Sequence, residues 1–319
     1  MKKRPLYVFY HIPKCAGSTF TYHLKKNLKS NECLETYIDE GCFNTRQEIE
    51  DHLRSLPEEK KEKIHVIYGH HLYYGVHSLF ERFVRYITFF RHPVDRTVSH
   101  YNYEIWQFRN NKLRADIKDK PIISSDGKIL SLEEWICRRQ VIQNFIVKNF
   151  DWALLQGKIK ENILKMPREY LRNAKQVLDK FYFVGTFENY KNDTNFLFGK
   201  LGINKYYADQ NISEKYFTWN EQNRYLRKLI TEKCGLDMEL YDYAVKLNRK
   251  RRAELKEYWF LVSSVRFRRR TQWLVSGSWF LIRQWLRCLL MGSHFMSETD
   301  SIRGVFSRWY DRIFKQPCR

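Results

Sequence analysis

The residues best suited to chemistry lie near the N-terminus, in the stretch YVFYHIPKCAGSTFTYHL at positions 7–24. Between two apolar runs it carries a lysine, a glycine and two hydroxyl residues within six positions, namely Lys14, Gly17, Ser18 and Thr19. Unpaired backbone N–H groups at a helix N-terminus attract anions, a glycine lets the backbone approach closely, and lysine and hydroxyl groups add donors. The stretch predicts a cradle for a phosphate-like group; a routine strand–turn–helix with a solvated lysine is the alternative.

A second stretch, ITFFRHPVDRTVSHYNY at positions 87–103, places Arg91 at the end of an apolar run and Ser99 eight residues later. An arginine fork binds a phosphate through two hydrogen bonds, and a serine on the following helix can donate another. The alternative is that Arg91 pairs with a carboxylate and Ser99 is a small packing residue. The first stretch is not a Walker A loop, because Lys14 precedes Gly17 and no lysine follows that glycine directly. The chain has no Asp-x-Asp pair, so no Mg²⁺ site is indicated.

Histidines form the third candidate group, in IYGHHLYYGVH at positions 67–77. An apolar run ends there at Gly69, so His70 and His71 are expected at the carboxyl edge of a parallel sheet, where such sheets bind ligands. Imidazole exchanges a proton near neutral pH, which suits it to deprotonate an acceptor hydroxyl. His70 is the predicted base, with a structural role as the alternative; His71 is a second candidate base or a substrate contact. A metal site on His70, His71 and His77 is not favoured, because no carboxylate or cysteine ligand is spaced nearby.

Strands and helices that alternate along the chain must position these groups. Short apolar runs rich in β-branched and aromatic residues predict buried parallel strands, so the chain is predicted to be an α/β protein with a P-loop-like parallel sheet flanked by helices. A capping box at Ser131 and Glu134 predicts a helix start, and the polar residues 110–130 predict an exposed loop. Strands are predicted at 6–12, 64–68, 84–90 and 181–184, and helices at 19–28, from Pro93 through Ile105, and ending near Gly202.

Composition bounds the class of protein. The 319 residues are 43% hydrophobic, enough for a core, and the formal net charge of +21 indicates anionic partners. The seven cysteines are scattered and contain no Cys-x-x-Cys pair, which favours reduced thiols in a cytoplasmic protein; a Cys33–Cys42 bridge is the alternative. The first apolar run is about seven residues long and is followed by Lys14, so it is interpreted as a strand rather than a signal peptide.

Both motifs together, each after a predicted strand, make the chain resemble the sulfotransferases that use 3′-phosphoadenosine 5′-phosphosulfate. The form HIPKCAGST at positions 11–19 is most similar to the carbohydrate branch, which includes the heparan sulfate 2-O- and chondroitin sulfotransferases. The resemblance spans about residues 5–245 and is sharp at residues 10–20 and 88–103. It implies that a sulfuryl group moves from this co-substrate, without a metal, to a hydroxyl of a polysaccharide or glycolipid.

The same resemblance implies a role for each matching residue. Lys14 and His70 are the implied catalytic residues; His70 matches the Gly-His of the 2-O-sulfotransferases, in which the histidine is the base. Arg91 and Ser99 match the pair that binds the 3′-phosphate. The loop that binds the 5′-phosphosulfate maps to Lys14, Cys15, Ala16, Gly17, Ser18 and Thr19.

Two other functions compete with this interpretation. A nucleotide-dependent kinase or phosphotransferase shares the fold, but the position of Lys14 and the missing metal signature argue against it. A nucleic-acid-binding protein is supported by the net charge alone. Basic grooves also attract sulfated and phosphorylated ligands, so nucleic acid is not the favoured partner.

The C-terminal residues differ in character from the rest. Residues 1–247 are predicted as the sulfotransferase domain and residues 248–319 as a basic, Trp-rich helical extension, with 16 Lys and Arg against five Asp and Glu from position 249 onward. The stretch 273–291 is long enough to span a bilayer, but Arg283 and Arg287 interrupt it, so a helix lying in the interface fits better. We expect peripheral attachment to an anionic membrane at its inner face; packing on the first domain is the alternative.

Overall fold

A five-stranded sheet forms the centre of the protein. The computed structural model describes residues 4–36, 46–70, 72–110, 122–138, 143–150, 168–209 and 214–272. The strand order is β2-β3-β1-β4-β5, and every neighbouring pair is parallel, which confirms the predicted α/β fold. The prediction lacked β2, because its three half-buried residues form no apolar run. The strands are β1 (Leu6–Tyr10), β2 (Cys33–Glu35), β3 (Val66–Gly69), β4 (Val84–Phe90) and β5 (Phe183–Thr186).

Helices follow the strands and flank the sheet. The predicted capping box is confirmed, since the Ser131 N–H donates to the Glu134 carboxylate at 2.8 Å and the Glu134 N–H donates to Ser131 Oγ at 3.3 Å. Gly202 ends a helix with a φ of 68°, as its position predicts. Before residue 255 the described α-helices are α1 (Gly17–Asn27), α2 (Arg46–Ser55), α3 (Glu58–Lys63), α4 (Pro93–Arg109), α5 (Leu132–Arg138), α6 (Phe145–Asn149), α7 (Arg168–Asp179), α8 (Tyr190–Leu201), α9 (Tyr225–Lys233) and α10 (Gly235–Glu254).

Residues 122–130 correct one prediction. They belong to a segment that was predicted as an exposed loop, yet Ile122 and Leu130 are buried in a cluster with residues of α4, α5 and α9. Ile123 and Ile129 pair across the turn in an antiparallel bridge. The polar turn between them dominates the local sequence pattern, and it conceals the apolar residues on either side.

The side chains of each strand alternate between two core layers. Leu6, Val8 and Tyr10 face one layer, which α2, α7 and α10 close. Tyr7 and Phe9 face the other layer, which α1, α8 and residues 258–262 close. Burial on both faces explains why β1 reads as a continuous apolar run rather than an alternating one.

The chain divides into two compact units, Met1–Val265 and Arg266–Arg319. In the first unit the Asn248 amide donates to the Val184 carbonyl at 2.8 Å, and the Tyr258 hydroxyl donates to Asp193 at 2.6 Å. In the second, residues 266–272 are helical, and the predicted interfacial stretch 273–291 lies outside the described residues. The predicted domain division at residue 247 stays a prediction.

Of the helices that the structure describes, none combines the length and the hydropathy needed to cross a membrane.

Candidate active site

The loop between β1 and α1 has a backbone suited to an anion. Lys14 and Ala16 have φ angles of 67° and 64°, in the left-handed region that residues with side chains rarely occupy. Helix α1 begins at Gly17 with Ala16 as its N-cap, and no side chain caps it. Its first turn carries no acidic residue, so the helix does not itself neutralise its positive end. The N–H groups of this turn are therefore arranged to receive an anion.

Gly17 is packed against the side chain of His11. A Cβ atom at Gly17 would lie 2.1 Å from Nε2 of His11. His11 is buried, and its ring stacks on Phe9 with centroids 5.3 Å apart. The sequence predicts that this glycine lets the backbone approach a ligand; the structure adds that the imidazole of His11 also requires the missing side chain.

The half-buried side chain of Lys14 lies beside α4. Its Nζ is 3.9 Å from the centroid of the Tyr103 ring. Burial, and secondarily the positive charges of Arg91 and Arg96, lower the pKa of Lys14 to about 8. A bound anion would favour the charged form and reverse this shift.

Arg91 follows β4 directly, and its guanidinium lies 4.5 Å from the ring centroid of Phe187, which follows β5. The Nε of Arg91 is buried and has no hydrogen-bond partner among the described residues. Ser99 lies two turns into α4 and is half-buried. Several other arginines of the described residues have an Nε in the same state, so it is the place of Arg91 at the end of β4 that suits it to a ligand oxygen.

A second arginine, Arg96, is buried behind the loop. It is 1% exposed, and burial lowers its pKa, whereas the carboxylate of the neighbouring Asp237 favours its charged form. The Asp237 carboxylate accepts two backbone N–H groups of α6, at 2.9 and 2.8 Å. Burial raises the pKa of Cys15 to about 11, so its thiol stays protonated near neutral pH. Cys15 therefore contributes to the loop as a packed residue rather than as a nucleophile.

His70 follows β3 and contacts His11. Its position depends on Gly69, where a Cβ atom would lie 2.3 Å from Oγ1 of Thr36. The rings of His70 and His11 meet in a T-shaped arrangement with centroids 4.5 Å apart. Burial first, and then the charges of His70 and Lys14, hold the pKa of His11 well below its ordinary value. The loop between β1 and α1, residues 11–16, is the anion loop. A neutral His11 in this loop therefore contacts the predicted base, His70.

The strand order explains why these groups meet. The strands are parallel, so the segments that follow β1, β3 and β4 leave at the same edge of the sheet. From β1 the chain passes to β2 on one side, and from β4 it passes to β5 on the other side. A crevice opens where such connections diverge, and α/β proteins bind ligands there. The Lys14 loop follows β1 and Arg91 follows β4, the two strands between which the connections diverge.

The structure brings the predicted loop, Arg91 and His70 to one edge of the sheet, and it places Ser99 further along α4. His71 lies outside the described residues. The sequence analysis missed His11 and Arg96. His11 lies in the stretch 7–24 and Arg96 in the stretch 87–103, and their place within these motifs is the signal that could have identified them. It also missed Phe187, which comes from a distant strand and has no local signal. Among the described residues, no cluster of three His, Cys, Asp or Glu side chains could hold a metal ion.

Fold and site together define a class: a parallel α/β protein with a lysine-bearing loop after β1 and an arginine directly after β4. A model of the sulfotransferase family matches residues 1–244, and the chain belongs to that family. No curated protein matches the chain. A solved structure, a sulfotransferase from Alicyclobacillus acidocaldarius, is similar at 15% sequence identity with a TM-score of 0.40, over 77% of this chain and 96% of that one.

Proposed function

We propose that this protein transfers a sulfuryl group from 3′-phosphoadenosine 5′-phosphosulfate to a carbohydrate hydroxyl. The observation that carries most weight is the cluster of positive side chains where β1 and β4 end. Lys14, Arg91 and Arg96 lie close enough together that the two arginines lower the pKa of Lys14 after burial has lowered it first, and the helix that begins at Gly17 carries no acidic residue in its first turn. Cationic groups beside an uncapped helix N-terminus suit a donor that carries phosphate at both its 3′ and 5′ positions.

Membership of the sulfotransferase family supports the type of reaction. The form HIPKCAGST and the pair Gly69-His70 resemble the carbohydrate branch, which supports a hydroxyl of a polysaccharide or glycolipid as the acceptor.

In this reaction the bond between sulfur and the bridging oxygen of the donor breaks, and sulfur bonds to the acceptor oxygen. Negative charge grows on the bridging oxygen, as in loose phosphoryl transfer, and we assign Lys14 and the loop N–H groups to stabilise it. His70 takes the proton of the acceptor hydroxyl. Arg91 and Ser99 hold the 3′-phosphate, and adenosine 3′,5′-bisphosphate leaves as the second product.

Thermal stabilisation tests the donor. At about 100 times its Kd, adenosine 3′,5′-bisphosphate adds roughly 2.7 kcal/mol to the free energy of unfolding, and it should raise the Tm more than ATP or AMP does. Arg91→Ala should lose most of this shift. Arg224→Ala, which removes an exposed arginine, is the matched control and should keep it. Equal stabilisation by ATP, above all if it needs Mg²⁺, would support the phosphotransferase alternative.

Radiolabelled donor tests the acceptor. The protein is incubated with the donor and, separately, with glycan, lipid and protein extracts. Label in glycan or glycolipid supports the proposed acceptor class. Label confined to the protein extract would contradict it while leaving sulfuryl transfer intact.

A further inference from the structure

Tyr103 lies where the head group of Lys14 is held. The Nζ of Lys14 is 3.9 Å from the centroid of the Tyr103 ring, well within the range of a cation–π interaction. Lys14 belongs to the loop between β1 and α1, and Tyr103 belongs to α4, so this contact joins the segments that follow β1 and β4.

The Tyr103 ring is fixed by neighbours of its own. Its hydroxyl accepts a hydrogen bond from Nε2 of Gln107 at 3.2 Å. The ring stacks with that of Trp106, with centroids 6.0 Å apart and an angle of 15° between the planes. Neither contact involves Lys14, so the ring is a preformed surface for the ammonium.

The helix that carries Tyr103 is anchored on both sides of it. The hydroxyl of Tyr101 donates to the Leu130 carbonyl at 2.7 Å, and the carboxylate of Glu104 accepts the indole N–H of Trp135 at 2.8 Å. Both anchors are buried, which makes this part of α4 a rigid support.

The electrostatic surroundings of Lys14 oppose its charged form, so a support for the ammonium has a clear role. Burial and two positive neighbours disfavour its ammonium, and a lysine side chain has many alternative rotamers that lead to solvent. The negative face of an aromatic ring opposes both effects, because it attracts the ammonium and gives it one position. Among the described residues, the titratable groups that affect the pKa of this ammonium are Arg91 after β4, Arg96 on α4 and Cys15 of the loop, and the ammonium in turn lowers the pKa of His11.

We propose that Tyr103 is a positioning residue that holds the Lys14 ammonium at the anion loop through its ring face. The expected effect of Tyr103 on kcat rests on the proposed function, whereas its effect on the position of the Lys14 ammonium does not. Because the ring and not the hydroxyl makes the contact, phenylalanine should replace tyrosine and an aliphatic residue should not.

Nuclear magnetic resonance of the full chain with ¹³C-methylated lysines tests the placement directly. The Lys14 methyl signal, assigned by its loss in Lys14→Arg, should carry an aromatic ring-current shift in the wild type and in Tyr103→Phe. Tyr103→Leu should abolish this shift and lower the pKa of the methylated Lys14 amine. Gln107→Ala, which removes only the hydrogen-bond partner of the Tyr103 hydroxyl, is the matched control. It should keep the ring-current shift and the pKa of the methylated Lys14 amine. A shift that survives in Tyr103→Leu, or that disappears equally in Tyr103→Phe, would overturn the proposal.

Kinetics separate this inference from the proposed function. Tyr103→Leu should lower kcat roughly threefold to thirtyfold, with KM for the donor changed less than about twofold, and Tyr103→Phe should restore kcat. If the wild type binds ATP rather than the bisphosphate but the ring-current result holds, the proposed function is wrong and the placement stands. If the enzyme is active and the ring-current result fails, only the role of Tyr103 is wrong.

Discussion

Gly17 and His11 are packed so closely that a Cβ atom on the glycine would lie 2.1 Å from Nε2 of the imidazole. The same imidazole contacts the ring of His70, with centroids 4.5 Å apart. The first turn of α1, which offers the N–H groups of the anion loop, and the proposed base are therefore held by one shared contact.

Gly17→Ala should disrupt the donor site. The added methyl group must displace either the imidazole or the loop, and overpacking of this kind typically costs about 1–3 kcal/mol. We expect the Kd for adenosine 3′,5′-bisphosphate, measured by calorimetry, to rise about tenfold or more. The double variant Gly17→Ala/His11→Ala removes the clashing ring and should recover part of the affinity. No recovery would mean that the clash is not the cause.

His70→Ala should separate chemistry from donor binding. A base acts on the acceptor, so kcat should fall by about 10²–10⁴ while the Kd of the bisphosphate stays within about twofold. His52→Ala on α2 is the control and should leave kcat unchanged. A near-normal kcat in His70→Ala would place the base elsewhere, with His71 as the next residue to replace.

Donor-product binding should take up a proton above pH 8. The pKa of Lys14 is lowered to about 8 in the free protein, so much of its amine is neutral at pH 8.5. A bound phosphate favours the ammonium and raises this pKa, so the affinity should fall as the pH rises beyond 8. Calorimetry at pH 8.5 in buffers with different ionisation enthalpies should show an uptake of between about half a proton and one proton. Lys14→Gln should show none; an equal uptake in that variant would assign the proton to another group.

Two buried carboxyl groups should lower the free energy of unfolding as the pH rises from 4 to 6. Burial raises the pKa of Asp193 and of Asp237 to about 6 from an ordinary value of 3.8, so the folded state binds more protons in this window. Their contribution is complete below about pH 4 and is lost as the pH rises through 6. The difference in the free energy of unfolding between the wild type and Asp237→Asn should decrease from pH 4.5 to 6.5 in urea titrations. Asp126→Asn, at an exposed turn, should show no such decrease; an increase for Asp237→Asn would mean that Arg96 stabilises the ionised carboxylate more than burial penalises it.

The basic residues after Val265 should bind anionic vesicles. Arg266, Arg268, Arg269 and Arg270 form a cluster in the helical residues 266–272. The full chain should sediment with phosphatidylserine-containing vesicles and not with phosphatidylcholine alone, and high salt should release it. Replacing the four arginines with glutamine should abolish binding. This variant is preferable to truncation after Leu247, which would also remove the buried contacts of Asn248 and Tyr258.

Other results in the same assay would change the interpretation. Binding that resists salt and needs detergent for release would indicate insertion of the C-terminal segment. Equal binding by the glutamine variant would exclude the arginine cluster as the membrane contact. No binding by the full chain would support packing on the first domain instead.

Local signals predicted the elements that carry the site. Strand β4 has the predicted limits, because an apolar run ends where Arg91 and the helix-starting Pro93 follow. Strands β1 and β3 were predicted within two residues, and the capping box at Ser131 was confirmed. Each of these features depends on residues close together in sequence, which is why a pattern could reveal them. Strand β2 was missed because it is short and half-buried, and so its place in the sheet depends on pairing with β3.

The sequence by itself determined the parallel α/β class and the two motif stretches, because burial on both sheet faces and helix starts impose local patterns. Only the tertiary structure decided that His11 lies between Gly17 and His70, that Lys14 lies on Tyr103 and that Arg91 lies on Phe187. These contacts depend on the order of the strands and on the packing of α4 against the loop. His11 and Gly17 lie in the same motif stretch, but the other partners are far apart in the chain, and no local pattern records which of them will be neighbours.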